Sequence, residues 1–295
     1  MSAVAARAIE EVAPARRRRR VDGLAVAGGV IVIAAILLAV LAPLLSPTDP
    51  IKNSLIDRLT PPAWVAGGES KHPLGTDTLG RDVASRLLHG ARVSLVVGFS
   101  AVVLAGAAGV ALGLVSGWYG GRLDDVLMRL GDVQLAFPVL VLAVAVMAVL
   151  GASLTNLIVV LGLTGWITYA RIVRGEVLTL RERDFVAAAR ALGAPDRWIL
   201  RRHLLPNVLP PITVVATFSV ARTIIAEASL SFLGLGIPAP EPSWGSMLDE
   251  GRNYITTGWW LALFPGLAIL LLVLGINLVG EWLRDRLDPR MERGL

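Results

Sequence analysis

Two charges interrupt the apolar run from Asn207 to Leu233: Arg222 and Glu227. An ionised group at that depth of a hydrophobic segment is expensive, so it marks a place where chemistry or passage occurs. A spacing of five sets the two side chains about 140° apart around a helix, whereas a mutual ion pair needs a spacing of three or four. Two readings stand for Glu227: contact with the interface or a partner helix near the outer end of the run, or a position on a translocation path. A third, an intramembrane enzyme using Glu227 as an acid, requires several polar groups converging at one depth, and only Arg222 shares it. No cysteine is present, which removes disulfides, thiolate ligands and a thiol nucleophile. The three histidines are separated by the expected topology, His72 and His89 outside and His203 inside, which argues against a shared metal site. Neither lysine, Lys52 or Lys71, follows a glycine, so no phosphate-cradling Gly-Lys loop exists. The residues therefore point to no catalytic group, no metal and no cofactor.

The elements that hold these residues are apolar spans. At 55% hydrophobic residues over 295, with a mean hydropathy of +0.66, the chain is too apolar for a soluble domain. Residues 1–22 end in Arg16 to Arg20 without an apolar period and read as a disordered cytoplasmic tail. Gly23 to Leu45 carries no charge, exceeds a signal core in length and lacks an Ala-x-Ala site before Pro43, so it reads as an uncleaved first span. Residues 46–90 are polar and proline-bearing, an external segment in which Asp82 caps a short amphipathic helix. Val93 to Trp118 is the second span. Val133 to Ala170 runs 38 residues uncharged. As one helix it would reach roughly 57 Å, nearly twice the hydrocarbon thickness, and must fold back. The Gly151-Ala152-Ser153 stretch, with Asn156 beyond it, marks that hairpin, and Pro138 opens the third span where its missing N–H costs least. Span five follows from Asn207, then an external loop over 229–248. Span six runs from Trp259 to Gly280 with Trp259 and Trp260 at interface level, and a charged tail, 283–295, ends the chain.

Six crossings with both termini inside place 20 of the 28 basic residues on the cytoplasmic side and six outside. That asymmetry obeys the positive-inside rule and accounts for the net charge of +5 without nucleic acid. The fold class is all-α, a polytopic membrane protein with the bilayer as its main solvent.

The longest charged stretch between apolar runs is Leu180 to Pro206, with six arginines and two more, Arg171 and Arg174, just upstream. Its pattern is two short helices around Gly193-Ala194-Pro195, with Phe185, Ala188, Ala189 and Leu192 on one face and Trp198, Ile199 and Leu205 forming a second apolar patch. It cannot bury both faces in itself and is expected to dock on another molecule.

This stretch resembles the cytoplasmic coupling loop of bacterial ABC importer permeases, whose signature is Glu-Ala-Ala, three residues, Gly, nine residues, Ile, one residue, Leu-Pro. Ala188, Ala189, Gly193, Leu205 and Pro206 match; Ala187 stands for the Glu and His203 for the Ile. The string from His72 to Asp82, Gly117-Trp-Tyr-Gly-Gly, the run from Ser229 through Gly236, Pro242-Ser-Trp-Gly and the Leu283-to-Pro289 ending are similar to the dipeptide and oligopeptide branch of that family. The His72 string admits two readings, packing on the outer face of the bundle or contact with solute.

The resemblance implies a type I ABC importer permease fold in a bacterial inner membrane and import of dipeptides or oligopeptides. Nickel chelates or haem-like cargo on the same architecture are the alternative. It also implies a heterodimer with a second permease, two cytoplasmic ATP-binding subunits that hydrolyse ATP, and an extracytoplasmic peptide-binding protein. Phe185, Ala188, Ala189, Gly193, Trp198, Leu205 and Pro206 would then couple to the ATPase. Arg222 and Glu227 would serve the path or a partner contact.

Overall fold

The computed structural model describes residues 23–287, and among these the only regular elements are helices. The expectations for the tail 1–22 and for 288–295 lie outside the described residues. In chain order the helices are α1 (Gly23–Val40), α2 (Ala42–Leu45), α3 (Val83–Tyr119), α4 (Gly121–Leu135), α5 (Val139–Leu150) and α6 (Leu154–Leu180). They continue with α7 (Asp184–Ala191), α8 (Asp196–Ile199), α9 (Leu205–Phe232), α10 (Trp244–Gly251) and α11 (Trp260–Leu287). Five helical stretches are long and apolar enough to cross a bilayer. A sixth crossing exists if α4 and α5, bent by 88° at their junction, count as one.

The places where helices begin follow local chemistry. Asp82 caps α3 by accepting from the Ser85 amide at 2.7 Å. α3 then continues unbroken for 37 residues, about 55 Å, so the short amphipathic helix and the second span expected separately are one rod. Gly90 does not interrupt it: a Cβ there would stand 2.9 Å from the Trp244 ring, so the glycine serves close packing. The third span departs further from expectation. Pro138 has no N–H and disfavours helix in the residue before it, so the chain breaks between Leu135 and Val139. The polar helix α4 thus turns sharply into α5, whose 12 residues reach only about 18 Å. The hairpin falls at Gly151, in a left-handed conformation (φ 83°), followed by Ser153 as the cap of α6. Asn156 donates to the carbonyls of Leu150 and Gly151 at 3.0 and 3.1 Å, closing the end of α5.

α8 is not a free short helix. A π turn over Leu200–Leu204 joins it to α9, giving one helix from Asp196 to Phe232. Asn207 donates to the His203 carbonyl at 2.5 Å beside that turn, and Pro210 and Pro211 follow, each withdrawing a backbone donor from the helix.

Between spans, packing depends on small residues rather than on the hydrophobic effect. α3 and α6 meet along Gly109, Gly113 and Gly117, one turn apart, against Tyr169, Ala170, Val173 and Val177. A Cβ at Gly113 would lie 2.6 Å from the Ala170 carbonyl oxygen and 2.8 Å from the Val173 Cβ, closer than side chains approach backbone. α1 crosses α11 in the same way, Gly28 against the Gly275 carbonyl.

Replacement Gly113→Leu is therefore expected to abolish folded yield or lower Tm steeply. Overpacking of this sort costs about 1–3 kcal/mol or more. Gly175→Leu, at a position with nothing within 4 Å, should leave both unchanged. Size-exclusion recovery and thermal unfolding of the two variants in detergent give the comparison.

Candidate functional site

The elbow 180–206 is built from an inward seam and an outward patch. Val186 and Ala189 of α7 are buried with Ile199, Leu204, Val208 and Trp118. Phe185, Ala188, Leu192 and Trp198 point outward, Phe185 being 41% and Trp198 46% exposed. The single face expected from Phe185, Ala188, Ala189 and Leu192 is thus divided. The sequence reading passed over Val186, whose pairing with Ala189 at a spacing of three sets the buried side. Gly193 holds φ at 78°, its amide donates to the Arg190 carbonyl at 2.9 Å, and that of Ala194 donates to Ala189 at 3.1 Å. This is the left-handed stop that the Gly-Ala-Pro break implied. Pro195 then caps α8, Leu205 is half-buried, and Pro206 is exposed in the first turn of α9.

His203, the residue standing where the loop signature has Ile, joins the two helices. Its ring lies 4.8 Å from Trp198, edge to face, and 5.8 Å from Phe185. The outward patch is consequently an aromatic cluster rather than an aliphatic ridge.

Several arginines are engaged within the chain. Arg174 grips Asp124 through two hydrogen bonds of 2.5 Å, and Ser116 donates to the same carboxylate. Arg181 donates to the Gly117 carbonyl at 3.0 Å, and the Arg190 guanidinium lies 4.3 Å from the Trp118 ring centre. The inner ends of α3, α4 and α6 are thereby tied to the elbow. Arg183, Arg197, Arg201 and Arg202 remain exposed. Asp124 went unnoticed in sequence because its partner is 50 residues away.

The two intramembrane charges are placed apart, as their spacing required. Glu227 is fully buried and accepts hydrogen bonds from Ser94 of α3 (2.9 Å) and Ser231 (2.8 Å). It fastens the outer part of α9 to α3 within this chain. Arg222 is exposed on another side of α9.

At the outer end lies a cluster that periodicity alone did not reveal. Asp77 accepts from the amides of Leu79 and Arg81 and from the Arg81 and Arg86 guanidinia. Those guanidinia also reach Glu250 on α10, Arg81 Nη2 at 2.9 Å and Arg86 Nη2 at 2.9 Å. His72 Nδ1 is 3.0 Å from Asp82, and its Nε2 faces Asp57 at 3.7 Å. The Asp57 carboxyl is held below its ordinary range, first by the Ser54 hydroxyl, with Lys71 and His72 adding to it. Trp244 and Trp260 donate to the carbonyls of Leu87 and Thr76, closing α10 and α11 over the segment. Gly80 (φ 71°) is obligatory, since a Cβ would sit 1.7 Å from the Ser54 carbonyl oxygen. His72, Thr76, Asp77, Arg81 and Asp82 of the string thus each have a partner within the chain. The signal available in sequence was Arg86 itself: a buried guanidinium needs carboxylates, and Glu250 is one.

Removing charge from one member should expose the coupling. Glu250→Gln is expected to lower unfolding stability by roughly 1–3 kcal/mol, and the double variant with Arg86→Met to recover part of that loss. Thermal unfolding of the four-member cycle in detergent measures it, and additive losses would show that the residues are uncoupled.

Comparison with known proteins bears on this geometry. A model of the binding-protein-dependent transport system inner membrane component matches residues 109–293, and one of the N-terminal TM domain of oligopeptide transport permease C matches 14–62. The di/tripeptide transport system permease protein of Pseudomonas aeruginosa is 45% identical over 254 residues, covering 86% of this chain and 84% of its own. The dipeptide and oligopeptide permeases of Bacillus subtilis are 41% and 40% identical, each over 94% of this chain and over 85% and 88% of theirs. Among solved structures, a chain of the inward-facing MetNI methionine ABC transporter superposes with TM-score 0.54 at 21% identity. The match covers 69% of this chain and 96% of that one, a likeness of fold.

Proposed function

The chain belongs to the family of binding-protein-dependent transport system inner membrane components, in its dipeptide and oligopeptide branch, and from that premise we propose that it forms half of the path of a peptide importer. It is a multi-pass permease of a bacterial inner membrane, and membership implies an ATPase and a substrate-binding protein as companions. In finer detail, the working unit is a heterodimer with a second permease above two ATP-binding subunits. An extracytoplasmic peptide-binding protein delivers cargo. Both termini are cytoplasmic, and ATP hydrolysis belongs to the partners, with no catalysis in this chain.

The observation that carries this reading is the outward cluster of Phe185, His203 and Trp198 on an elbow fastened from behind by Arg174, Arg181 and Arg190. An exposed aromatic patch on a braced support, desolvated on docking, suits a groove of the ATPase. When nucleotide draws the ATPase pair together, the elbow is carried along and the attached spans reorient. Ala188, Ala189, Gly193, Leu205 and Pro206 shape that contact, and the exposed arginines steer it. Arg222 faces the path, while Glu227 preserves the arrangement of α3 and α9 beside it.

In a strain lacking this chain, uptake of a labelled dipeptide should vanish while uptake of a nickel chelate and of haem persists. Reversal of that order would redirect the solute assignment. Trp198→Ala should weaken ATPase association by on the order of 2 kcal/mol, about thirtyfold in Kd, and abolish coupled uptake. Unchanged assembly and coupling would overturn the docking role. Arg222→Ala should lower uptake with folded yield intact, whereas Glu227→Ala should lower the yield itself; the opposite pattern would exchange their roles.

A further inference from the structure

A fissure of about 820 Å³ opens between α1, α3, α9 and α11, apart from the elbow and without Arg222 among its lining residues. It runs along the span direction. Ala39 and Val40 of α1 and Arg92 of α3 stand at its outer mouth, and Tyr169, Ile212 and Val279 close it past the middle of the spans. Its walls are mostly hydrocarbon, among them Ile36, Phe99 and Val220, with the hydroxyls of Ser100, Thr213 and Thr217 and the buried, unpartnered hydroxyl of Tyr169 as the exceptions. Of its hydroxyl groups, Thr213 and Thr217 donate back into α9, to the Leu209 and Thr213 carbonyls at 2.8 and 3.0 Å. Those hydroxyls are occupied by their own helix.

That lining selects among occupants. A peptide brings backbone amides whose hydrogen bonds must be replaced, and an unreplaced one is costly in an apolar wall. A hydrocarbon chain asks for nothing but apolar contact. At the mouth the demand reverses: Arg92 is exposed there, one residue outside the uncharged run 93–118, and takes no part in the outer ion network. A fixed cation at interface level above an apolar slot is complementary to a phosphate esterified to acyl chains.

We infer that this fissure is a binding site for a single phospholipid of the outer leaflet, its acyl chain between α1 and α9 and its phosphate on Arg92. The lipid would complete the wall between α1 and the body of the permease. α1 otherwise meets that body through its crossing with α11 at Gly28 and through contacts with α3.

The test uses the assembled importer, stripped of bulk lipid in detergent and weighed by native mass spectrometry. One phospholipid per copy of this chain should remain. Phosphatidylglycerol and phosphatidylethanolamine should both rebind, and diacylglycerol, with the same tails and no phosphate, should not. Arg92→Gln should weaken rebinding about tenfold, the scale of one charge-assisted hydrogen bond, without loss of assembly. Ala216→Trp, which fills the slot, should eliminate it. Because that variant risks misfolding, a second probe replaces Phe99 with photoreactive benzoylphenylalanine. After delipidation its adduct should have the mass of a phospholipid, and the same probe at the exposed Val149 of α5 should give none. An adduct with the second permease polypeptide, equal labelling at both positions, no retained lipid, or retention indifferent to Arg92 would each overturn the site.

Discussion

The close approach of α3 to α6 along Gly109, Gly113 and Gly117 is the contact from which the remaining geometry follows. In a bilayer the lipid tails are as apolar as leucine, so two helices stay together only where their backbones can approach and their dispersion contacts multiply. Three small residues at one-turn spacing provide that approach, and Tyr169, Val173 and Val177 fill the flanks. With the two rods fixed side by side, their ends become a platform at each face of the membrane. On the outer face the platform carries the Asp77, Arg81, Arg86 and Glu250 cluster; on the inner face it carries the Asp124–Arg174 pair and the elbow.

The two polar ends are built on different principles. At the α10 end, Asp77, Arg81 and Arg86 are buried and, with the half-buried Glu250, neutralise one another in a closed group that shuts α10 onto α3. Inside, the arginines work singly, one to a carboxylate, one to a carbonyl, one to an indole ring. The first arrangement is rigid in register and costly to dismantle; the second leaves the exposed edge of α7 free to meet another surface. On the proposed function, import driven by a partner ATPase calls for such a division, with one set end and one face that presents itself.

Much of this was readable from the chain, and the unread parts share a cause. Asp82 as a cap, the hairpin at Gly151 and the left-handed stop at Gly193 are local, and each rests on one residue's backbone or side-chain preference. The uncharged runs and the arginine asymmetry marked the crossings because burial in lipid is a property of composition. What escaped involves partners far apart in sequence. Glu250 answers Arg86 across 164 residues, and no period announces it. The inward seam of α7 depends on Trp118 and Ile199 lying beneath Val186. The continuity of α8 with α9, and of the outer helix with the second span, was hidden because tertiary contact carried the helix through stretches where local signals favoured a stop. Arg222 and Glu227 were flagged together by cost, yet the structure gives them unlike surroundings, one buried among serines and one open.

The π turn at Leu200–Leu204 and the paired prolines at 210 and 211 lie in series at the elbow end of α9. Backbone hydrogen bonding is thinned there, so that portion of α9 bends more easily than an uninterrupted helix. α6, which enters the elbow from the other side, has no such interruption and is clamped to α3 along its length. On the proposed coupling, force entering at the elbow would divide unequally, passing stiffly up α6 into the glycine seam while α9 bends at its base.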